Sequence, residues 1–470
     1  MKRRTVSLCV IARDEEGAIG QAIKSALALV DEVIVVDTGS RDNTRIIAEG
    51  YGARVVDFAW RDDFSAARNA ALNEAYGDWI LVLDADERLD PLRPVDFQRL
   101  LACERAAGYR VTLNGPRPEA CADPARQVRL FRNAPEIRYR YPVHEQVLPS
   151  LLAWAQPLGL EILEAPLAIA HAGATRERSA EKRERDVRLL RRASEEWPAE
   201  PWFEYRLAGL SLTVLEDEVL PVAGLAEGLG MLERAWQKVL ALPAQARAQL
   251  PYGPDLAARI GSCRLALGDT AGALATVAAG RVHWGERPGL AAIGATAAIR
   301  RLAEAAASLP AAEAQALAAR ARADLAVVRA GTAVADETGP GPRERALSSL
   351  RIGADLALVE GRVADAADLY EKALTVDAGY SPAWLGLAEC ARYAGDRKRA
   401  LQLYLRAVTA NELNHRAWLR GSSVLDELGF HDNAASWRRQ VALRFPEHPA
   451  CAGRDSGGED LPAHLAQPMF

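Results

Sequence analysis

Gly361, Gly395 and Gly429 stand 34 residues apart, and so do Ala366, Ala400 and Ala434. A unit of that length is one supersecondary element with an apolar face it cannot bury alone, so the period obliges this part of the chain to stack successive units into a continuous core. Trp384 and Trp418 keep the same interval, with Leu350 at the equivalent place one unit earlier; Tyr370 and Tyr404 keep it too, until Arg438 replaces the aromatic. Weaker units are expected at "ARIGSCRLALGDTAGALATVAAG", where Gly261, Gly268 and Ala273 hold the right relative places, and from "WFEYRLAGL". An Ala-rich helical stretch follows, and "GTAVADETGPGPRER", with Pro340 and Pro342, predicts a loop.

The other end of the chain has a different rhythm. From Thr5 to about Arg88, β-rich runs ("TVSLCVIA", "EVIVVDTG", "RVVDFAW", "WILVLDAD") alternate with helical ones ("AIGQAIKSALALV", "DNTRIIAEGYG", "FSAARNAALNEAYG"). Such alternation closes most simply into a parallel sheet covered by helices, with ligands held at the carboxyl ends of the strands. Acidic residues fall at three of those ends: Asp14 to Glu16, Asp37, and Asp84 to Glu87. Further strands are expected at "YRVTL", "RQVRLF", "EQVLP" and "LEILEAPLAIAH". Beyond His171 the run "ATRERSAEKRERDVRLLRRASEEW" predicts a charged helix with a solvated face, packed through Val187, Leu190 and Ala193.

With 470 residues, 49% hydrophobic and 26% charged, the chain suffices for several globular domains. A net charge of -5 offers no general attraction to nucleic acid. The six cysteines lie far apart without a C-x-x-C pair, which argues against a structural zinc site or a disulfide framework and fits a reducing cytoplasm. The opening "MKRRTVSLCVIARDEE" predicts a first strand rather than a signal peptide, because its apolar stretch is short and runs into charge. No apolar run is long enough to span a bilayer, so membrane contact is expected to be peripheral at most.

The 34-residue units resemble tetratricopeptide repeats. In the first part, "DEVIVVDTGSRDNTRIIAEGYGARV", "WRDDFSAARNAAL" and "DWILVLDADERL", in that order, resemble a family 2 glycosyltransferase over roughly residues 1 to 175. The expected organisation is therefore an α/β domain over 1–175 with an A-type glycosyltransferase fold and a mainly parallel sheet. A helical domain with degenerate repeats over 176–335, tetratricopeptide repeats over 343–448 and a flexible tail over 449–470 would follow it.

The resemblance implies transfer of a sugar, with inversion, from a nucleoside diphosphate donor, and the aspartates suit that chemistry. An anionic diphosphate approaches carboxylates only with a divalent cation between them. Asp86 is the expected metal ligand, for Mg²⁺ or Mn²⁺, with Asp84 nearer the ribose or bridging phosphate. Asp37 can accept the imide N–H of uracil or thymine, favouring a UDP or dTDP donor, or can cap the turn before "SRDNT". Arg68 matches the family position that touches the nucleotide. In "RYRYPVHEQV", Glu145 is the expected base that removes the acceptor proton, its alternative being a salt bridge to Arg138 or Arg140. His171 is the expected late-loop metal ligand, with His144 its competitor. Two departures from the family pattern stand out: Asp14 where Asn is usual, and Tyr141-Pro142 in place of a glycine-containing approach to the His-Glu pair.

The favoured function is a metal-dependent, non-processive glycosyltransferase whose repeats recruit a protein or glycan acceptor. The absence of "Q-x-x-R-W" and of a membrane span argues against a processive synthase. The alternative is a non-catalytic repeat-based interaction protein with a nucleotide-binding domain. A nucleotidyltransferase would need a Gly-rich phosphate loop that "VIARDEEGAIG" does not supply.

Overall fold

The computed structural model describes residues 3–114, 125–171, 176–212, 222–248, 250–305, 308–331 and 342–445, so the expected loop around Pro340 and the expected tail over 449–470 lie outside the described residues. The chain divides after Trp197 into two compact units.

In the first unit, β1 (Val6–Ala12), α1 (Ile19–Ala26), β2 (Glu32–Asp37), α2 (Thr44–Gly50), β3 (Arg54–Asp57), α3 (Phe64–Glu74) and β4 (Trp79–Asp84) follow the expected alternation. After them come β5 (Glu87–Leu89), α4 (Pro94–Leu101), β6 (Ala106–Asn114), β7 (Ala125–Arg132), α5 (Leu148–Ala155), β8 (Glu161–His171) and α6 (Arg176–Glu196). The eight strands form one sheet in the order β3-β2-β1-β4-β7-β6-β8-β5. β3, β2, β1 and β4 are parallel, whereas β7 enters antiparallel to β4 and makes the second half of the sheet mixed.

Alternation with period two decides which face each strand residue covers. Val6, Leu8 and Val10 pack with Ile19, Ile23 and Phe97 on one face, while Cys9, Ile34, Val36, Ile80 and Val82 pack with Ala67, Ala71, Leu148 and Leu151 on the other.

"EQVLP" is not a strand. Leu148 opens α5, whose buried Leu148, Leu151 and Ala155 lie on one helical face, and only an isolated bridge, Arg140 to Gln146, remains of β pairing. Burial of three apolar side chains at helical spacing outweighs the local β pattern. α6 groups with the first unit rather than with the helical one, because Leu189, Leu190 and Ala193 are buried and Arg188 donates to Asp62.

The second unit is all helical. It comprises α7 (Pro201–Leu212), α8 (Val222–Ala241), α9 (Ala244–Ala248), α10 (Gly253–Ala266), α11 (Thr270–Trp284), α12 (Pro288–Glu304), α13 (Ala311–Ala330) and α14 (Pro342–Val359). α15 (Val363–Val376), α16 (Ser381–Tyr393), α17 (Arg397–Ala410), α18 (His415–Glu427) and α19 (His431–Arg444) complete it.

The 34-residue period has a hydrogen-bond signature. Tyr370 donates to Asp355 at 2.5 Å and Tyr404 to Glu389 at 2.5 Å, while Trp384 and Trp418 donate to the carbonyls of Ala378 and Glu412 at 3.0 and 2.9 Å. Arg438, at the third aromatic position, pairs with Asp426 instead. Gly361, Gly395 and Gly429 turn the chain between helices at φ of 78°, 81° and 83°, and Gly268 does the same at 82° between α10 and α11. That region the side-chain-free residue enters without strain.

Candidate active site

The carboxyl ends of β1, β2 and β4 lie side by side, since Ala12 pairs with Asp37 and Ile11 with Asp84. The parallel register therefore brings Asp14, Asp37 and the Asp84 to Glu87 tip to one edge, where strand ends are fixed and loops remain reachable.

At the centre is a network of alternating charge. Arg68, in the middle of α3 and 7% exposed, donates from Nε to Glu145 at 2.7 Å and from Nη2 to Asp84 at 2.6 Å. Arg129, on β7, donates to the other Asp84 oxygen at 3.3 Å and to Glu87 at 2.9 Å. Glu87 also accepts the backbone N–H of Asp84 at 2.8 Å. Five charged groups from four separate stretches of the chain thus converge.

Burial works to raise the Asp84 carboxyl, yet the guanidiniums of Arg129 and Arg68 hold it well below the usual carboxylate range. For Glu87, burial and then the neighbouring Asp84 charge push the carboxyl up, against the pull of Arg129. Burial pushes the Tyr139 phenol up to about 12, so the ring stays neutral beneath the Arg68 guanidinium that stacks over it at 5.5 Å.

Arg68 is positioned by its own helix. Asp63 caps α3 by accepting from Ala66 at 2.9 Å, and Asn69 exchanges hydrogen bonds of 2.9 Å with the Tyr139 backbone in both directions. The expected partners of Glu145, Arg138 and Arg140, are not the ones it takes: Arg138 turns to the carbonyls of Ala134 and Ile137. Arg68 itself is engaged by two carboxylates rather than presented outward.

Asp37 is 3% exposed and accepts from the Gly39 and Ser40 amides at 3.3 and 3.1 Å, and from the Ser40 hydroxyl. Those three donors leave about one of its four lone-pair sites. Asp14 adopts φ of 53°, its backbone N–H donates to Ser40 Oγ at 3.0 Å, and its carboxylate accepts from Arg41 N at 2.7 Å. Asp and Asn are the non-glycine residues that best tolerate such a φ, so the departure from Asn keeps the loop shape.

Tyr141 stands at φ of 76° and His144 at 52°, so the place where a glycine was expected is a left-handed backbone that a tyrosine now occupies. Each such residue costs of order 1–3 kcal/mol, and strain of this kind gathers at functional sites. Pro142 ties this loop to α3 by accepting from Phe64 N at 2.8 Å.

Asp86 lies beyond the network, with a partly exposed side chain 3.8 Å from the ammonium of Lys182 on α6. Its oxygens are of the kind that Mg²⁺ or Mn²⁺ prefers, and an ion there would take the place of the Lys182 ammonium. The backbone of His171 pairs with Glu87, but its side chain lies outside the described residues. His144 Nε2 stands 3.9 Å from Asp186. Among the described residues no three His, Cys, Asp or Glu side chains gather as a metal cluster, so the oxygens of a bound diphosphate would have to complete the shell.

Sequence reasoning missed Arg129 and assigned no role to Glu87. The available signal was "QVRLF", an arginine among buried apolar residues: Val128, Leu130 and Phe131 are at most 8% exposed, and a guanidinium there demands carboxylates.

Comparison with known proteins agrees with this division. Residues 7–100 match the glycosyl transferase family 2 model and residues 357–420 a tetratricopeptide repeat model. A TPR repeat-containing protein of Synechococcus elongatus is 46% identical over 151 residues, covering 32% of this chain and 37% of the relative. The lipopolysaccharide core biosynthesis glycosyltransferase LpsC of Rhizobium meliloti is 31% identical over 160 residues, 31% of this chain and 57% of the relative. The chain thus spans less than two thirds of either relative. A crystal structure of glucosyl-3-phosphoglycerate synthase from Mycobacterium tuberculosis with phosphoglyceric acid is 25% identical, covering 40% of this chain and 80% of that one, at a TM-score of 0.32. Asp37, Arg68, Asp84 and Asp86 lie within the segment that matches the glycosyl transferase family 2 model, and the 34-residue units overlap the segment that matches the tetratricopeptide repeat model.

Proposed function

We propose that the first unit transfers a sugar, with inversion and one residue per encounter, from a UDP or dTDP donor to an acceptor presented by the helical repeats. The observation that supports it is the convergence of Arg68, Asp84 and Glu145 at the tip of β4, with Asp86 beside them.

In this reading the remaining acceptor site on Asp37 takes the imide N–H of the base. Asp84 orients the ribose and phosphates while two guanidiniums keep it ionised. Asp86 would hold Mg²⁺ or Mn²⁺, with His171 as the further candidate, and the bound ion supplies charge neutralisation for the departing diphosphate. Glu145, oriented by Arg68, takes the proton of the acceptor nucleophile as the anomeric carbon is attacked from the opposite face. The named activity of LpsC supports a glycan as acceptor class, and the repeats support a polypeptide; the repeats lead us to place a protein first.

The test is transfer and donor hydrolysis with a set of nucleotide sugars, with and without Mn²⁺. Asp86→Ala should lose at least about a hundredfold in kcat/KM. Unchanged activity in that variant would remove the metal assignment. Nucleotide binding without turnover, across protein and glycan acceptors, would favour an interaction protein instead.

A further inference from the structure

We propose that Glu87 and Arg129 form a positioning pair that sets the Asp84 to Asp86 tip for the donor diphosphate and its cation, an inference that rests on the glycosyl-transfer reading above. Glu87 is 3% and Arg129 8% exposed. Taking two charges out of water is costly, and a buried ion pair is often matched or bettered in stability by apolar residues of similar size. The Nε of Arg129 moreover has no hydrogen-bond partner among the described residues, a cost that a purely stabilising pair would not carry.

The geometry shows what the pair does instead. One Glu87 oxygen accepts the Asp84 amide at 2.8 Å, closing the turn that contains Asp86, and the other accepts from Arg129 at 2.9 Å. Arg129 reaches one Asp84 oxygen at 3.3 Å while Arg68 holds the other at 2.6 Å, so the Asp84 carboxylate is gripped on both oxygens. Antiparallel pairing of Glu87 with His171 and of Leu89 with Ile169 anchors the far side of the turn. Asp86 lies between these two fixed points. The pair also shares out charge: Arg129 offsets part of both neighbouring carboxylates at the place where an anionic diphosphate must approach.

The experiment is calorimetric titration of the full chain with UDP and MnCl₂, alongside thermal unfolding, for Glu87→Gln, Arg129→Met, Arg129→Lys and the Glu87→Gln/Arg129→Met double variant. Groups that orient metal-binding carboxylates typically contribute 10–100-fold in affinity, so each single variant should bind Mn²⁺ and UDP about tenfold or more weakly. The double variant should lose little beyond either single one, because the two act as a unit. Arg129→Lys keeps the charge but cannot span both carboxylates, so its unfolding midpoint should recover while its affinity stays low. Wild-type affinity in folded Glu87→Gln and Arg129→Lys would overturn the pair's role, as would affinity that simply follows the midpoint. Failure of the wild-type chain to bind would overturn the glycosyl-transfer reading as well, and so is told apart from failure of the pair alone.

Discussion

At the residue scale the candidate site is a matter of which carboxylates are spoken for. Asp37, Asp84 and Asp86 could be singled out because each follows an apolar strand, a local pattern. Arg129 shows in the sequence only as a charge within an apolar strand; that its partner is Asp84 depends on β7 joining β4 through Leu81 and Leu130, a pairing of residues far apart in the chain. Glu145 makes the sharpest residue-level prediction. Glu145→Gln keeps the shape and an oxygen for Arg68 but removes the base, so nucleotide binding should stay within about twofold while transfer falls by roughly 10²–10⁴. Parallel loss of binding and transfer would instead make Glu145 a positioning partner of Arg68.

At the scale of elements, local patterns named most of the helices and strands, and failed where tertiary burial competed. The local pattern of "EQVLP" predicts a strand, and the second face of the sheet instead took Leu148 and Leu151 on α5. The short β5 was hidden within a charged turn for a similar reason: only β8 beside it makes it a strand.

The second unit offers a pH test. Asp324 on α13 is 2% exposed, accepts from Arg281 at 2.6 Å and pairs with Arg320 at 3.1 Å, while its other oxygen has no hydrogen-bond partner among the described residues. Burial raises its carboxyl to about 6, with Arg281 opposing and Glu286 adding to the rise. Between the ordinary carboxylate range and that value the folded chain binds the proton more tightly than the unfolded one, so this group's contribution to stability falls as pH rises from about 4 to 6 and is flat above. The loss is of order 1–3 kcal/mol. The difference in unfolding midpoint between the wild type and Asp324→Asn, followed across that range, should show it; a pH-independent difference would rule it out.

At the scale of the whole molecule, each unit has a core of its own, one around the sheet and others along the helix pairs. α6 packs its apolar residues into the first unit, so a fragment should end after Trp197 rather than within that helix. Residues 1–197 should bind UDP with Mn²⁺ within about threefold of the full chain, yet transfer sugar to the natural acceptor at least about tenfold less well if the repeats supply effective concentration. Equal transfer by a folded fragment would take the acceptor away from the repeats.

No helix among the described residues is long and apolar enough to cross a membrane. What the sequence determined by itself was whatever depends on neighbours along the chain: the two periods, the division into a sheet domain and stacked helix pairs, and the aspartates at the strand ends. What only the tertiary structure decided was which charges meet. Glu145, Arg68, Asp84, Arg129 and Glu87 come from α3, β4, β5, β7 and the loop before α5, and a buried charge takes its partner from whichever segment the sheet order brings within hydrogen-bond reach.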